Sequence, residues 1–253
     1  RDRKFRQAAN KLLKVYHQNT MAFKNQFIQA VTKEQEDYYL DHFKYWKCCK
    51  NDLNNRFSTS HTAWINPRCN EPNTRQPDFR SSYSSNIYHH AAKRKLAFAD
   101  EIYNQDKDLY DEFIDAAKYF INKSLSKNPR NAKALALRSE LRNDPLNAYL
   151  DVLAAKHLNK NNTEVNKLFD KKEKQFLKAI STAIESSDMI FINRVIREGL
   201  YRGKNVKDDY TATQYAITLD RLKVFKAFND DFTHQGLNQE ESYFLFAVHN
   251  NAG

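Results

Sequence analysis

The chain has 253 residues, 41 Lys/Arg against 31 Asp/Glu for a formal charge of +10, and 41% hydrophobic residues, among them 14 Tyr and 17 Phe. Four Gly and five Pro are too few for a turn-rich β architecture, while the aromatic content is enough to build a packed core and excludes global disorder. No apolar run is long enough to span a membrane.

An all-α fold is therefore expected, in one large or two medium domains. The charge is uneven: residues 1–100 hold 18 Lys/Arg and 9 Asp/Glu, residues 101–253 hold 23 and 22. Nearly all of the excess sits in the first 100 residues, which suits an acidic protein or an anionic membrane surface. Nucleic acid is the weaker expectation, because no nucleic-acid motif accompanies the charge. Three Cys, two of them adjacent at Cys48 and Cys49, form no disulfide-framework spacing and point to a reducing compartment. No apolar stretch follows the basic residues 1–5, so no signal peptide is expected.

In chain order, Phe5, Ala8, Ala9, Leu12, Leu13 and Tyr16 recur at three- and four-residue spacing and predict an amphipathic helix over residues 2–18. A second helix is predicted over 21–50, carrying Phe23, Phe27, Val31, Tyr38, Tyr39, Phe43 and Trp46. Periodicity then disappears from 51 to 86, where Pro67, Pro72 and Pro77 exclude long helices. A structureless stretch of this length is uncommon in a compact domain unless it is functional. Helices resume over 87–104, 109–125, 132–142 and 146–158, with Pro129 and Pro145 at their starts. The polar residues 160–163 are the expected linker, making residues 1–158 one basic helical domain.

Between 54 and 90 lie the candidate chemical groups. If the chain uses a thiol nucleophile, Cys69 beside Arg68, with His61 or His89 as base, suits it best, because a neighbouring positive charge favours the thiolate. No C-x-x-C or spaced His pair exists, so no metal is expected. No glycine-rich phosphate loop exists either, so no cofactor is expected, and a nucleotide would have to be held by side chains such as Arg56, Ser58 and Ser60. Arg75 and Arg80 are the candidate anion-binding residues of this segment.

Residues 179–187 and 212–220 are copies at an offset of 33, matching Ala179 with Ala212, Ala183 with Ala216 and Ile184 with Ile217. A third copy begins at Ser242 and reaches Ala247, 31 residues after Ala216. This period and the apolar run Leu222, Val224, Phe225, Ala227 and Phe228 resemble the ankyrin repeat. The resemblance covers residues 165–253. Thr211 occupies the family's Thr, but Ala212, Thr213 and Gln214 replace its Pro, Leu and His, and Ser187, Asp220 and Asn251 stand where it carries turn Gly. It implies helical hairpins that bind a protein, with Asp220, Arg221, Lys223 and Lys226 on the binding surface and Ala183, Ala216 and Ala247 buried between hairpins. The sequence ends in mid-repeat at Gly253, so the last hairpin is expected to be incomplete or an atypical cap.

The whole is similar in style to ankyrin-repeat effectors that intracellular bacteria deliver into host cells, which implies a host protein partner and the host cytosol. The rival expectation is an enzyme with its site in 54–90, either a Cys-His hydrolase or transferase or a nucleotide-using enzyme. Polar side chains turned inward around a pocket would favour that rival.

Overall fold

A computed structural model describes residues 2–59, 69–72, 75–78, 80 and 82–233. The chain is all-α: the described residues contain ten helices and one two-stranded hairpin. It divides into two compact units, residues 1–134 and 135–253.

Unit one opens with α1 (Asp2–Gln29) and α2 (Lys33–Thr59). The break between them falls at residues 30–32, not at 18–21 as the periodicity suggested. Its cause is a capping box: Thr32 Oγ1 accepts from the Gln35 amide at 3.3 Å, while Gln35 Oε1 accepts from the Val31 and Thr32 amides at 3.0 and 3.4 Å. Donors that a continuing helix would have satisfied are satisfied by the side chains that end it. Downstream α2 runs to Thr59, so residues 51–59, expected to be aperiodic, are helical. The two helices pair antiparallel, with Tyr16 against Trp46 at 5.5 Å and Phe23 stacked on His42 at 4.8 Å.

Helices α3 (Ser85–Ile102) and α4 (Lys107–Lys127) follow, N-capped by Ser84 and Asp106. Phe27, Ala99 and Phe113 form the centre of the core, Phe27 meeting Phe98 and Phe113 edge-on at 5.0 and 5.6 Å. At the opposite end of α3, Asn131 Nδ2 donates to Ser85 Oγ at 2.8 Å and Ser124 Oγ donates to the Ser85 carbonyl at 2.8 Å, so a small polar knot closes the unit.

The division at 134/135 falls inside α5 (Ala132–Leu141), earlier than the expected boundary at 158–165. The residues read as a linker form a tight connection within unit two, where Asn162 N-caps α7 through its bond from the Val165 amide at 3.0 Å. Unit two continues through α6 (Pro145–Leu158), α7 (Thr163–Ser186) and α8 (Met189–Glu198), the hairpin β1 (Asn205–Lys207) and β2 (Tyr210–Thr211), α9 (Ala212–Thr218) and α10 (Leu222–Thr233). Its core joins Tyr149, Phe176, Ile180, Ile184, Ile192, Ala216, Val224 and Phe228, with Tyr149 and Phe176 stacked at 4.6 Å.

The two sequence copies take one backbone form. Ser187 (φ 55°) and Asp220 (φ 53°) are both left-handed. Asp188 N donates to Ala183 O at 2.9 Å and Arg221 N to Ala216 O at 2.9 Å; the following helices open with Ile192 N to Asp188 O at 3.0 Å and Phe225 N to Arg221 O at 2.8 Å. Ala183 and Ala216 are buried. Between the copies, Thr211 and Gln214 form a second capping box at the start of α9. Tyr215 donates to Glu185 at 2.5 Å, and Arg221 Nη2 to the Glu185 carbonyl at 2.9 Å. The third copy, with Ala247 and Asn251, lies outside the described residues.

Candidate functional site

The first turns of α2 carry Glu34, Asp37, Tyr38 and Asp41, spaced so that all four share one helical face. Across the cavity from them lie residues 75–78, 80 and 83 of the aperiodic segment. Gln35 holds it: Nε2 donates to the Asp78 carbonyl at 3.2 Å and to Tyr83 Oη at 2.8 Å, and Tyr83 Oη in turn accepts from the Arg80 amide at 3.2 Å. Helix face and segment enclose a cavity of about 650 Å³, lined by those four residues and by Thr32, Arg75, Gln76, Pro77, Asp78, Arg80, Tyr83 and Ile87. The size is that of a small-molecule pocket.

Its electrostatics oppose those of the sequence around it. Glu34, Asp37, Asp41 and Asp78 set four carboxylates against the two guanidiniums of Arg75 and Arg80, within a segment that is strongly basic as a whole. Hydrogen bonds from its own backbone amide and from Thr32 hold the Glu34 carboxyl below the usual range, so it is ionised. Arg75 and Arg80, expected to meet an anion, therefore face an excess of acid.

Behind the face, Glu36 and Lys95 are fully desolvated. Lys95 Nζ donates to Glu36 Oε1 at 2.6 Å and to the Phe27 carbonyl at 2.8 Å; Arg94 donates to Glu36 Oε2 at 2.6 Å and to the Val31 carbonyl at 2.7 Å. These bonds fix the α1–α2 break against α3. Burial pulls the Lys95 ammonium below its ordinary value, and Glu36 pushes it back up.

The thiol-nucleophile expectation fails. Cys69 is bonded to Cys48, and a disulfide sulfur carries no thiolate to attack with. The pairing is one that the cysteine spacing did not indicate. Cys49, the remaining thiol, is buried in mid-helix, and burial raises its pKa, the opposite of activation. His89 is buried on α3, its Nδ1 without a hydrogen-bond partner, so it orients no nucleophile. Burial, reinforced by His90, Lys93 and Lys133, lowers its pKa to about 4. His61 lies outside the described residues, as does the side chain of Arg56 in the last turns of α2. No cluster of metal-ligating side chains occurs among the described residues.

In unit two, Asp220 serves as the left-handed turn residue and Arg221 reaches back to α7, so both have backbone duties. Lys223 and Lys226 point outward from α10. Sequence reading passed over Gln35, Glu36 and Lys95. The Thr32-x-x-Gln35 pattern was a legible signal for the first; nothing in the sequence distinguishes the charge of Lys95 from the solvated lysines around it. Comparisons of the chain with protein-family models, with curated proteins and with solved structures find no match.

Proposed function

We propose that the chain is an interaction protein whose second unit presents divergent ankyrin-like hairpins to a protein partner. The observation that carries this reading is the pair of helix–turn–helix copies at an offset of 33, sharing a left-handed turn residue, the same closing hydrogen bond and a buried Ala, with a β-hairpin between them. Repeats of this kind bury their apolar faces on each other and leave polar edges for recognition. The exposed Lys223 and Lys226 lie on such an edge. An oxidising setting replaces the reducing host cytosol in this proposal, because the Cys48–Cys69 bond persists there. The test is a photo-crosslinker placed at Lys223 of the full chain in its own cells, with one at the exposed Lys118 of α4 as control. A discrete adduct at Lys223 that Lys226→Glu abolishes is expected; the same adducts at both positions would remove the reading.

The cavity of unit one favours a second reading, a small-molecule site. Four carboxylates against two guanidiniums repel a nucleotide phosphate and suit an organic cation, which Tyr38 and Tyr83 could meet with their rings. Glu34 and Asp41 are seven residues apart, so about 10 Å along the helix axis. That span matches a linear polyamine better than a compact cation. Titration with spermidine should show saturable heat that Asp37→Asn with Asp41→Asn removes; equal binding of spermidine and a monoamine would sink this reading.

A further inference from the structure

Helix α1 carries two rows of residues at the spacing of about 3.5 residues that packed helices use. In the first, Leu13, Tyr16, Thr20, Phe23 and Phe27 follow at steps of three and four and are buried or half-buried, with Tyr16 against Trp46 and Phe23 on His42 of α2. The second row, Ala8, Leu12, Val15, Asn19 and Ala22, runs beside it at steps of four, three, four and three. Ala8, Leu12, Val15 and Ala22 are exposed, Leu12 to 38% and Val15 to 46%. One apolar stripe is enough to join a helix to its domain, so the second exceeds what folding uses.

Charge along the same helix limits what covers that row. The sequence of α1 holds Arg3, Lys4, Arg6, Lys11, Lys14 and Lys24 against one acid, Asp2. Lys24 is engaged by Glu112 of α4 at 2.8 Å, whereas Lys11 and Lys14 are exposed and form no ion pair among the described residues. A second copy of α1 is the wrong occupant, because it would bring the same cations against these. A lipid surface is disfavoured too. The bulky aromatic residues that anchor a helix in an interface, Tyr16, Phe23 and Phe27, sit in the other row, and the exposed row is narrow, with Ala at both ends and Asn19 in its middle. Small residues let another helix approach closely, and a polar residue at one seam position fixes register between two helices.

We propose that this row of α1 docks an acidic amphipathic helix of a partner protein. The partner's apolar seam covers Leu12 and Val15, a polar side chain within that seam meets Asn19, and carboxylates flanking it meet Lys11 and Lys14. From Ala8 to Ala22 the row spans about 21 Å along the axis, so the occupant needs about four helical turns. The mode is helix against helix, the geometry by which α1 already holds α2. This surface belongs to unit one and stands apart from the hairpins of unit two, so it holds whether or not those hairpins bind a protein.

A synthetic four-heptad peptide with Leu at its seam positions and Glu on both flanks is the probe; repulsion between its Glu side chains keeps it from pairing with itself. Added to the full chain at physiological salt, it should bind one to one by fluorescence anisotropy and gain helical circular dichroism. Leu12→Ser with Val15→Ser should weaken binding at least about tenfold, as loss of central apolar contacts does. Lys11→Glu with Lys14→Glu should weaken it as much, and so should Ala22→Arg, by crowding the row. All five side chains are exposed, so thermal midpoints should stay at the wild-type value. No binding, binding indifferent to these substitutions, or equal binding of a peptide with Lys on its flanks would overturn the proposal. A dimer of the chain alone that the same substitutions dissolve would overturn it in favour of a second copy. Anionic vesicles that lose their binding on Leu12→Ser with Val15→Ser would overturn it in favour of a lipid surface.

Discussion

Lys95 has no solvent contact, and its ammonium is held by one carboxylate and one backbone carbonyl, with the Phe27 ring 5.0 Å away. A lone charge there would cost several kcal/mol, and the bonded pair offsets much of that cost. His89 solves the same problem in the opposite way, by staying neutral. Its folded pKa of about 4 lies below the ordinary 6.5 because burial first, and then the neighbouring His90, Lys93 and Lys133, disfavour the imidazolium. The unfolded imidazole takes up a proton first as pH falls, so the unfolded state binds more protons between those two values and stability rises with pH across that window. Acidification from above 6.5 to about 4 should therefore remove on the order of 2–3 kcal/mol on account of this residue. Because Nδ1 has no partner to lose, His89→Leu keeps the packing and drops the penalty. Thermal midpoints of the two proteins should converge near neutral pH and separate in favour of His89→Leu near pH 4.5; parallel curves would show that His89 is protonated in the fold.

At the scale of elements, the helices from α3 to α6 were legible because Pro and capping residues punctuate them. Asp144 caps α6 with Pro145 in its first turn, as the sequence implied. The α1–α2 break was misplaced because apolar spacing runs through it; only the Thr32–Gln35 box marks it. The disulfide was not legible at all. An odd cysteine count gives no pairing, and Cys48 differs from Cys49 only in the face of α2 each occupies, which emerges once the helix exists. The two sequence copies at an offset of 33 share a turn, and that turn makes a signed prediction. Ser187 is a non-glycine residue at φ 55°, so Ser187→Gly should stabilise the protein by about 0.5–1 kcal/mol. At Lys174, exposed in the middle of α7, the same replacement should destabilise by roughly 0.5–1 kcal/mol. Ala216→Leu, at a fully buried position, should cost about 1–3 kcal/mol by overpacking. Denaturant midpoints give all three signs, and a destabilising Ser187→Gly would contradict the turn geometry.

Across the whole chain the charge is the feature that composition exposed and structure redistributes. Unit one pairs α1 and α2 antiparallel, which puts the acidic cavity beside their connection and Lys11, Lys14 and Lys47, all exposed, toward the other end. Lys14 and Gln29 are fifteen residues apart on one helix, about 22 Å along its axis. The screening length at physiological ionic strength is about 8 Å. The carboxylates of the cavity therefore do not neutralise the lysine end, and the unit offers two separate fields instead of one averaged charge. An anionic surface should be met by the lysine end. Full-length protein should bind vesicles containing anionic lipid at low salt and lose most of that binding at physiological salt, as exposed charges do. Lys11→Glu with Lys14→Glu should abolish the low-salt binding. Arg75→Glu with Arg80→Glu should leave it nearly unchanged, because those two guanidiniums already face four carboxylates. If neither pair matters, or if wild-type protein fails to bind even at low salt, the excess of lysine and arginine serves to keep a helical surface solvated, and recognition falls to the repeats.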